Sequence, residues 1–313
     1  MTTKKLGSTD LEVFPLCLGG NVFGWTADER TSFAVLDAYA EAGGNFIDTA
    51  DSYSAWVPGN VGGESETILG KWMQARKNRD RMIIATKVGA APELKGLSAA
   101  TIRRGIEASL RRLGTDRVDL YYAHYDDPST PQDETLRAFD ALVREGKVRY
   151  LAASNHSAAR LASALEIAKR EGLARYVALQ PEYNLIERDA YERELRPVME
   201  AAGLACLPYY GLAHGFLTGK YRPGASVESP RAGSAAKYLE DPRAMRVLEA
   251  VESVAKARGT TIAAVALAAL GAQPTVAAPI ASARSPEQLA ELLPMATIEL
   301  SHDELARIDA AAR

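Results

Sequence analysis

GGNFIDTADSY, from Gly43 to Tyr53, is the stretch on which the fold turns. A short run, Asn45-Phe46-Ile47, stops at Asp48, and Tyr53 follows five residues later. As a buried strand, the run delivers a carboxylate to the rim of a sheet. The pattern recurs along the chain with a different polar residue at each strand end. Strand candidates are Leu16 to Gly19, Asn45 to Asp48, Met82 to Lys87, Leu120 to His124, Tyr150 to Ser154, Tyr176 to Gln180, Leu204 to Tyr209 and Thr275 to Ile280. Between them, helical spacing predicts Asp28 to Ala42 (with Thr26 as candidate cap), Glu66 to Arg76, Thr101 to Leu113 and Thr135 to Glu145. It also predicts Ala158 to Glu171, Tyr191 to Ala202, Arg243 to Arg258 and Ile262 to Leu270. Strict alternation implies parallel strands joined by right-handed crossovers. Ahead of them, Lys4 to Leu6 and Leu11 to Val13 flank a Gly/Asp turn and predict a small hairpin. The expectation is an α/β chain: one (β/α)8 TIM barrel domain over residues 1–313, with an N-terminal hairpin and extra C-terminal helices.

Composition narrows the function. Apolar residues make up 47% and charged residues 25%, which suits a globular protein with a sizeable core. A net charge of −3 argues against a nucleic-acid partner, which would call for a basic surplus. The two cysteines, Cys17 and Cys206, lie in apolar runs and read as reduced, buried thiols. MTTKKLGSTD lacks the apolar core of a signal peptide, and no apolar run reaches about 18 residues. The expectation is a cytoplasmic, soluble protein without a membrane partner. Tyr210 to Asp241, the longest irregular segment, is of a length that more often serves function than connection.

The C-terminal strand ends of a barrel converge on one face, where catalysis sits. In order they offer Asp48, Lys87, His124, Ser154-Asn155, Gln180 and Tyr209, with Tyr53 just past Asp48. Each has a structural reading alone: Asp48 as a helix cap, Lys87 as a snorkelling lysine, His124 as a satisfied rim histidine. Their convergence on one rim selects chemistry instead. A tyrosine, with a pKa of about 10, is a reluctant donor near neutrality. A neighbouring ammonium would lower that value, and a carboxylate would keep a buried lysine charged. Tyr53, Lys87, Asp48 and His124 thus form a self-consistent proton-delivery unit. No GxSxG, HExxH or CxxC occurs, so neither a nucleophile elbow nor a metal site is expected.

With these residues in place, the chain resembles the aldo-keto reductase superfamily from Leu16 to the last helix. The resemblance is carried by GGNFIDTADSY, IIATKVG (Ile83 to Gly89), DLYYAH (Asp119 to His124), LAASN (Leu151 to Asn155), LQPEYN (Leu179 to Asn184), GFLTGKY (Gly215 to Tyr221) and ARSPEQL (Ala283 to Leu289). It implies Tyr53 as general acid, Lys87 and Asp48 as the pair that tunes it, and His124 as the residue orienting the carbonyl. It further implies that Ser154, Asn155 and Gln180 hold the nicotinamide carboxamide and that Tyr209 stacks on the ring. Leu212, Ala213 and Lys220, with Arg231, would follow the pyrophosphate. Arg284, Gln288 and Glu291 would hold the adenosine, Arg284 taking the 2′-phosphate, which favours NADPH/NADP+ over NADH. Asn21, Asp48, Tyr210, Gly211 and Ser282 complete the implied cofactor contacts.

The sequence departs from the family at several points. Tyr210-Gly211 stands where Ser-Pro is usual, so Tyr210 either offers its own hydroxyl or lines the pocket. Ser282 replaces a frequent glycine, and Leu292 a frequent asparagine that would read adenine. On the substrate side, Asn21, Val22, Phe23 and Trp25 follow the first strand. Trp25, Tyr53, Trp56, His124 and Tyr125 make a candidate pocket for aromatic or extended aliphatic carbonyls, with loop packing the other reading for Trp25 and Trp56. Trp72, on a helix, is expected in the core. The expected activity is NADPH-dependent reduction of an aldehyde or ketone to the alcohol, with a small-molecule carbonyl or alcohol as partner and a monomer as the default state. The alternatives are an NADP(H)-binding sensor of the potassium-channel β-subunit type and a polyol or sugar dehydrogenase working oxidatively.

Overall fold

The computed structural model describes residues 3–222, 224 and 232–313. Strands β1 (Lys4–Lys5) and β2 (Glu12–Val13) pair antiparallel, Lys4 opposite Val13, as the expected hairpin. The main sheet contains β3 (Cys17–Gly19), β4 (Phe46–Asp48) and β5 (Ile83–Val88). After a small hairpin, β6 (Ala90–Ala91) with β7 (Leu94–Lys95), it continues with β8 (Val118–Ala123), β9 (Val148–Ser154), β10 (Tyr176–Gln180), β11 (Ala205–Cys206) and β12 (Ile280–Ala281). Eight strands are present as expected, the last at Ile280–Ala281 rather than over Thr275 to Ile280; all pair in parallel, and the order is β11-β10-β9-β8-β5-β4-β3-β12. The two ends of that order meet. Cys206 N–H donates to the Thr275 carbonyl (2.8 Å), Ala277 N–H to the Cys206 carbonyl (3.0 Å) and Ile280 N–H to the Pro208 carbonyl (2.9 Å), closing the sheet into a barrel.

The helices surround it: α1 (Glu29–Glu41), α2 (Glu64–Arg76), α3 (Ala99–Leu113), α4 (Gln132–Arg144), α5 (Ala158–Glu171), α6 (Arg196–Ala202), α7 (Ala232–Ala236), α8 (Pro242–Arg258), α9 (Ile262–Gly271), α10 (Pro286–Leu292) and α11 (His302–Ala311). The cap of α1 is Asp28, not Thr26: Asp28 is extended and its carboxylate accepts the Thr31 N–H at 2.8 Å. Thr26 is instead drawn into a turn by its N–H bond to the Val22 carbonyl. The helix expected from Tyr191 opens with a π turn over Tyr191–Leu195 before α6 begins. Within Tyr210 to Asp241, short 3-10 turns (Ala213–Thr218, Lys237–Leu239) and α7 give the segment structure of its own.

Two apolar clusters follow from the period-2 alternation of strands. One side chain of each pair faces the helices, as Leu18, Ile47, Ile84, Tyr121 and Leu179 do. The other faces the barrel interior, where Cys17, Phe46, Ala85, Tyr122, Ala152, Ala178, Leu207 and Ile280 pack with Leu6, Leu11 and Val13 of the hairpin. The hairpin thus plugs the barrel bottom. Both cysteines are buried and free, and burial pushes the Cys206 thiol up to about 12, so neither is reactive. Trp72 is fully buried, its indole N–H donating to Asp37 at 2.8 Å. Among the described residues no single helix is long and apolar enough to cross a membrane; α8 and α9 pass such a test only together, across a bend of 106°.

Candidate active site

Two residues beyond each interior side chain, the alternation turns a side chain inward again, now at the open C-terminal rim. Phe46 is followed in this way by Asp48, Ala85 by Lys87, Tyr122 by His124, Ala152 by Ser154, Ala178 by Gln180 and Leu207 by Tyr209. Register aligns them: Asp48 pairs with Ala85, Lys87 with Tyr122, and Gln180 with Ser154. The remaining two strands end in Gly19 and Ala281, and Ser282 follows the second. A Cβ on Gly19 would lie 2.5 Å from Ser282 Oγ and 3.1 Å from Ile280 Cγ2, so these neighbouring strands leave little room for a larger residue. Ser282 donates to Asn21 Oδ1 at 2.5 Å.

Lys87 Nζ is the hub. It donates to Asp48 Oδ2 (2.6 Å), to the Thr49 carbonyl (2.8 Å) and to the Tyr53 hydroxyl (2.9 Å), which satisfies all three of its protons. Tyr53 in turn donates to Asp48 Oδ2 at 3.1 Å, and Gln180 Nε2 donates to Asp48 Oδ1 at 2.9 Å. A second chain joins this one: Tyr209 OH donates to Asn155 Oδ1 (2.8 Å), Asn155 Nδ2 to Ser154 Oγ and the His124 carbonyl (3.0 Å each), and Ser154 Oγ to the Gln180 carbonyl (2.8 Å). Asn155 holds this geometry from a left-handed backbone, φ 52°, which asparagine tolerates better than most residues.

Burial sets the protonation of these groups. It pushes the Tyr53 phenol well above its usual value, and the negative charge of Asp48 adds to that. The expected lowering by the lysine is therefore overturned for the resting site: desolvation and Asp48 outweigh Lys87, and the phenol is fully protonated. His124 moves the other way. Burial, then the charge of Lys87, holds its imidazole well below the usual range, so it is neutral. Its Nδ1 lies 3.4 Å from Ser52 Oγ.

The Lys87 and Asp48 side chains are 0% and 2% exposed. Removing one partner of such a buried pair strands the other charge and typically costs about 3–5 kcal/mol. Lys87→Met is accordingly expected to lower unfolding free energy by about that much in a urea titration, and adding Asp48→Asn should restore part of it. A loss under about 1 kcal/mol would show that the pair is not buried as described.

Above the rim lies a trough of 1140 Å³. Of the residues singled out in the sequence, Asn21, Trp25, Asp48, Tyr53, Trp56, His124, Tyr125, Ser154, Asn155, Gln180, Tyr209, Tyr210, Gly211, Leu212, Lys220, Ser282, Arg284, Gln288 and Glu291 line it. Lys87 sits beneath the wall. Ala213 does not line it: its methyl group is fully buried in the helix-facing core, and His214 and Gly215 take its place. Phe23 is likewise fully buried in that core. Arg231 lies outside the described residues. Tyr210 takes the wall position, its ring packed on His214 at 3.8 Å from a left-handed backbone, φ 54°. Sequence reading missed Ala90 and Pro92 of the β6–β7 hairpin, whose strands are too short to show a period, and His214. Among the described residues no cluster of His, Cys, Asp or Glu could hold a metal ion.

Comparison with known proteins places this geometry. The family model described as "Aldo/keto reductase family" matches residues 15–313. The Bacillus subtilis (strain 168) protein described as uncharacterized oxidoreductase YrpG is 36% identical over 97% of this chain and 94% of its own length. Norsolorinic acid reductase stcV of Emericella nidulans is 33% identical over 96% and 78%. A probable voltage-gated potassium channel subunit beta of Oryza sativa subsp. japonica is 33% identical over 93% and 90%. With its closed barrel and a match running from the first core strand to the C-terminus, the chain belongs to the aldo/keto reductase family.

Proposed function

We propose that this protein reduces an aldehyde or ketone to the alcohol with NADPH, Tyr53 acting as general acid. The observation that carries the reading is Lys87 Nζ bridging Asp48 and the Tyr53 hydroxyl at the floor of the trough. The trough's chemistry fits a dinucleotide. Amide and hydroxyl groups of Ser154, Asn155 and Gln180 line the trough together with Tyr209, whose hydroxyl donates to Asn155 Oδ1. Lys220 and Arg284 are the lysine and arginine of its wall, on the loops where phosphates would run, and Gln288 and Glu291 offer amide and carboxylate to a nucleoside. Gln288 Oε1 already accepts the Arg284 backbone N–H at 3.0 Å, which fixes that turn. Nicotinamide, when bound, supplies the hydride. The protein's own part is to hold and deliver a proton. Tyr53 is protonated at rest and gives its proton to the carbonyl oxygen, while Lys87 stays beside the phenolate left behind and steadies it. A hydroxyl of Ser52 donating to His124 Nδ1 leaves the ring proton on Nε2, from which neutral His124 can donate to the same carbonyl oxygen. The printed name of the Emericella relative, a reductase, supports the reductive direction.

The test is consumption of NADPH, and separately NADH, across a panel of carbonyl compounds by the monomer taken as the working, cytoplasmic form. Turnover faster with NADPH is the expected result. Absence of turnover with tight cofactor retention and a co-purifying protein would instead favour a regulatory subunit, the reading that the rice relative's name supports. Arg284→Ala should weaken NADPH binding by roughly 10- to 100-fold, the range for a lost charge-assisted contact, and NADH binding far less. Equal losses for both cofactors would remove Arg284 from the 2′-phosphate.

A further inference from the structure

Lys87 Nζ stands between two phenol rings. The Tyr53 ring centroid lies 4.6 Å away and the Tyr122 ring centroid 5.6 Å away, and the ammonium sits over both. Tyr53 lines the trough; Tyr122 does not, and its side chain is fully buried in the interior cluster. Register makes the second contact possible: on β8, Tyr122 pairs with Lys87 of β5 on one side and with Ala152 of β9 on the other. Ala85, Ala152 and Ala178 bring only methyl groups to this part of the barrel interior, which leaves room for one large ring.

The Tyr122 hydroxyl does not account for its place. It makes no hydrogen bond of normal geometry among the described residues, and Gln180, the side chain that acts on it from β10, is committed to Asp48 at 2.9 Å. Burial, then the charge of Asp48, pushes this phenol well above its usual value, so it presents a neutral ring to Lys87. A cation over an aromatic face is attracted by the ring quadrupole, most strongly where water is excluded. Water is excluded here, since Lys87 and Tyr122 are both 0% exposed. The attraction matters most once Tyr53 has given up its proton. At rest Tyr53 donates to Asp48 at 3.1 Å; a phenolate cannot, and Lys87 is then the one cation between two anions. A lysine stem is four flexible carbons long. A neutral ring on its inner side keeps the ammonium within reach of Tyr53 without drawing it off Asp48.

We infer that Tyr122 is a positioning residue for the proposed proton delivery: its ring closes the space on the inner side of Lys87 and holds the ammonium against the Tyr53 oxygen while the phenolate exists. This rests on the reductase reading above. Tyr122 lines no part of the trough, so its loss acts on the chemical step and leaves binding of substrate and NADPH nearly unchanged.

The experiment compares Tyr122→Leu, Tyr122→Met and Tyr122→Phe with the parent, using the carbonyl compound that the parent reduces fastest. Tyr122→Leu removes the ring, and its single-turnover rate should fall about 10- to 30-fold, the scale of a desolvated cation–π contact, with KM nearly unchanged. Tyr122→Met fills the space with a flexible chain and no ring, and should lose as much. It also carries the comparison if Tyr122→Leu does not fold. Tyr122→Phe keeps the ring and removes an unpaired hydroxyl, so it should restore the parent's rate without loss of stability. Recovery of the rate in Tyr122→Met would mean that packing alone is at work and would overturn the inference. So would ring-less variants as fast as the parent, a loss confined to KM, or Tyr122→Phe as slow as Tyr122→Leu. In those cases a slow Tyr53→Phe in the same assay would leave the reductase reading intact. No turnover of any carbonyl by the parent would overturn both.

Discussion

Tyr53→Phe is expected to cut kcat for carbonyl reduction by about 10²- to 10⁴-fold, the range a positioned general acid contributes. The variant keeps the ring between Trp56 and His124 and removes only the oxygen. Lys87 keeps Asp48 and the Thr49 carbonyl as partners at 2.6 and 2.8 Å, so the buried pair stays compensated. Losing one hydrogen bond should cost about 1 kcal/mol of stability, too little to unfold the chain. Binding of NADPH, followed by fluorescence, should be nearly unchanged, because the proton donor is not among the groups proposed to hold the dinucleotide. Single-turnover rates on a carbonyl isolate the chemical step from product release. A variant within tenfold of the parent would mean that another group delivers the proton.

The second large effect lies behind the site. Asp51 is 2% exposed, and neither carboxylate oxygen makes a hydrogen bond of normal geometry among the described residues. Burial first, and then the negative charge of Glu66, pushes its carboxyl up to about 8, with Arg112 and Lys87 opposing. Glu66 is already spent, accepting from Thr86 at 2.5 Å and Arg112 at 2.6 Å, so it cannot relieve Asp51. The raised value makes the folded chain bind a proton that the unfolded chain has released. Below about pH 4 both states are protonated, and Asp51 costs nothing through ionisation. From there to pH 8 the unfolded chain gains the ionised form alone, and stability falls with rising pH by an order-of-magnitude total of about 6 kcal/mol. Above pH 8 the penalty is constant. Asp51→Asn removes it, so the variant should gain stability over the parent at pH 9 and little or none at pH 4. Urea unfolding of both proteins at the two pH values checks this, since titrating groups remote from Asp51 cancel in the difference. The same gain at both pH values would show that Asp51 is ionised in the fold.

Much of the site was legible because period 2 is a hard rule. An inward Phe46 forces an inward Asp48, and the same step takes Ala85 to Lys87 and Ala178 to Gln180. What the sequence concealed belongs to backbone conformation and to desolvation. The left-handed residues Ala213 and His214, φ 47° and 56°, turn the alanine into the core and the histidine to the trough, and no periodicity announces such a turn. The sign of the Tyr53 shift was equally hidden. Proximity to Lys87 is readable from spacing, but burial decides against it, and burial is a property of the closed barrel. Thr26 was the expected cap; the extended backbone of Asp28 and its bond to the Thr31 N–H make Asp28 the cap instead.

The seam has a consequence for how the enzyme comes into being. Asp48, Tyr53, Lys87 and His124 all lie in the first 124 residues, whereas the bonds that close the barrel involve Thr275, Ala277 and Ile280. During synthesis, the four residues proposed to deliver the proton emerge long before the strand that closes the ring leaves the ribosome. Arg284, Gln288 and Glu291 emerge later still. The same C-terminal segment also pairs with the first core strand, Cys17 N–H donating to the Pro279 carbonyl across one of the longest sequence separations in the fold, and contacts of that kind form late. A nascent or truncated chain therefore holds the proposed proton donor without the residues proposed to hold the nucleotide, and the proposed chemistry waits on the last turn of folding.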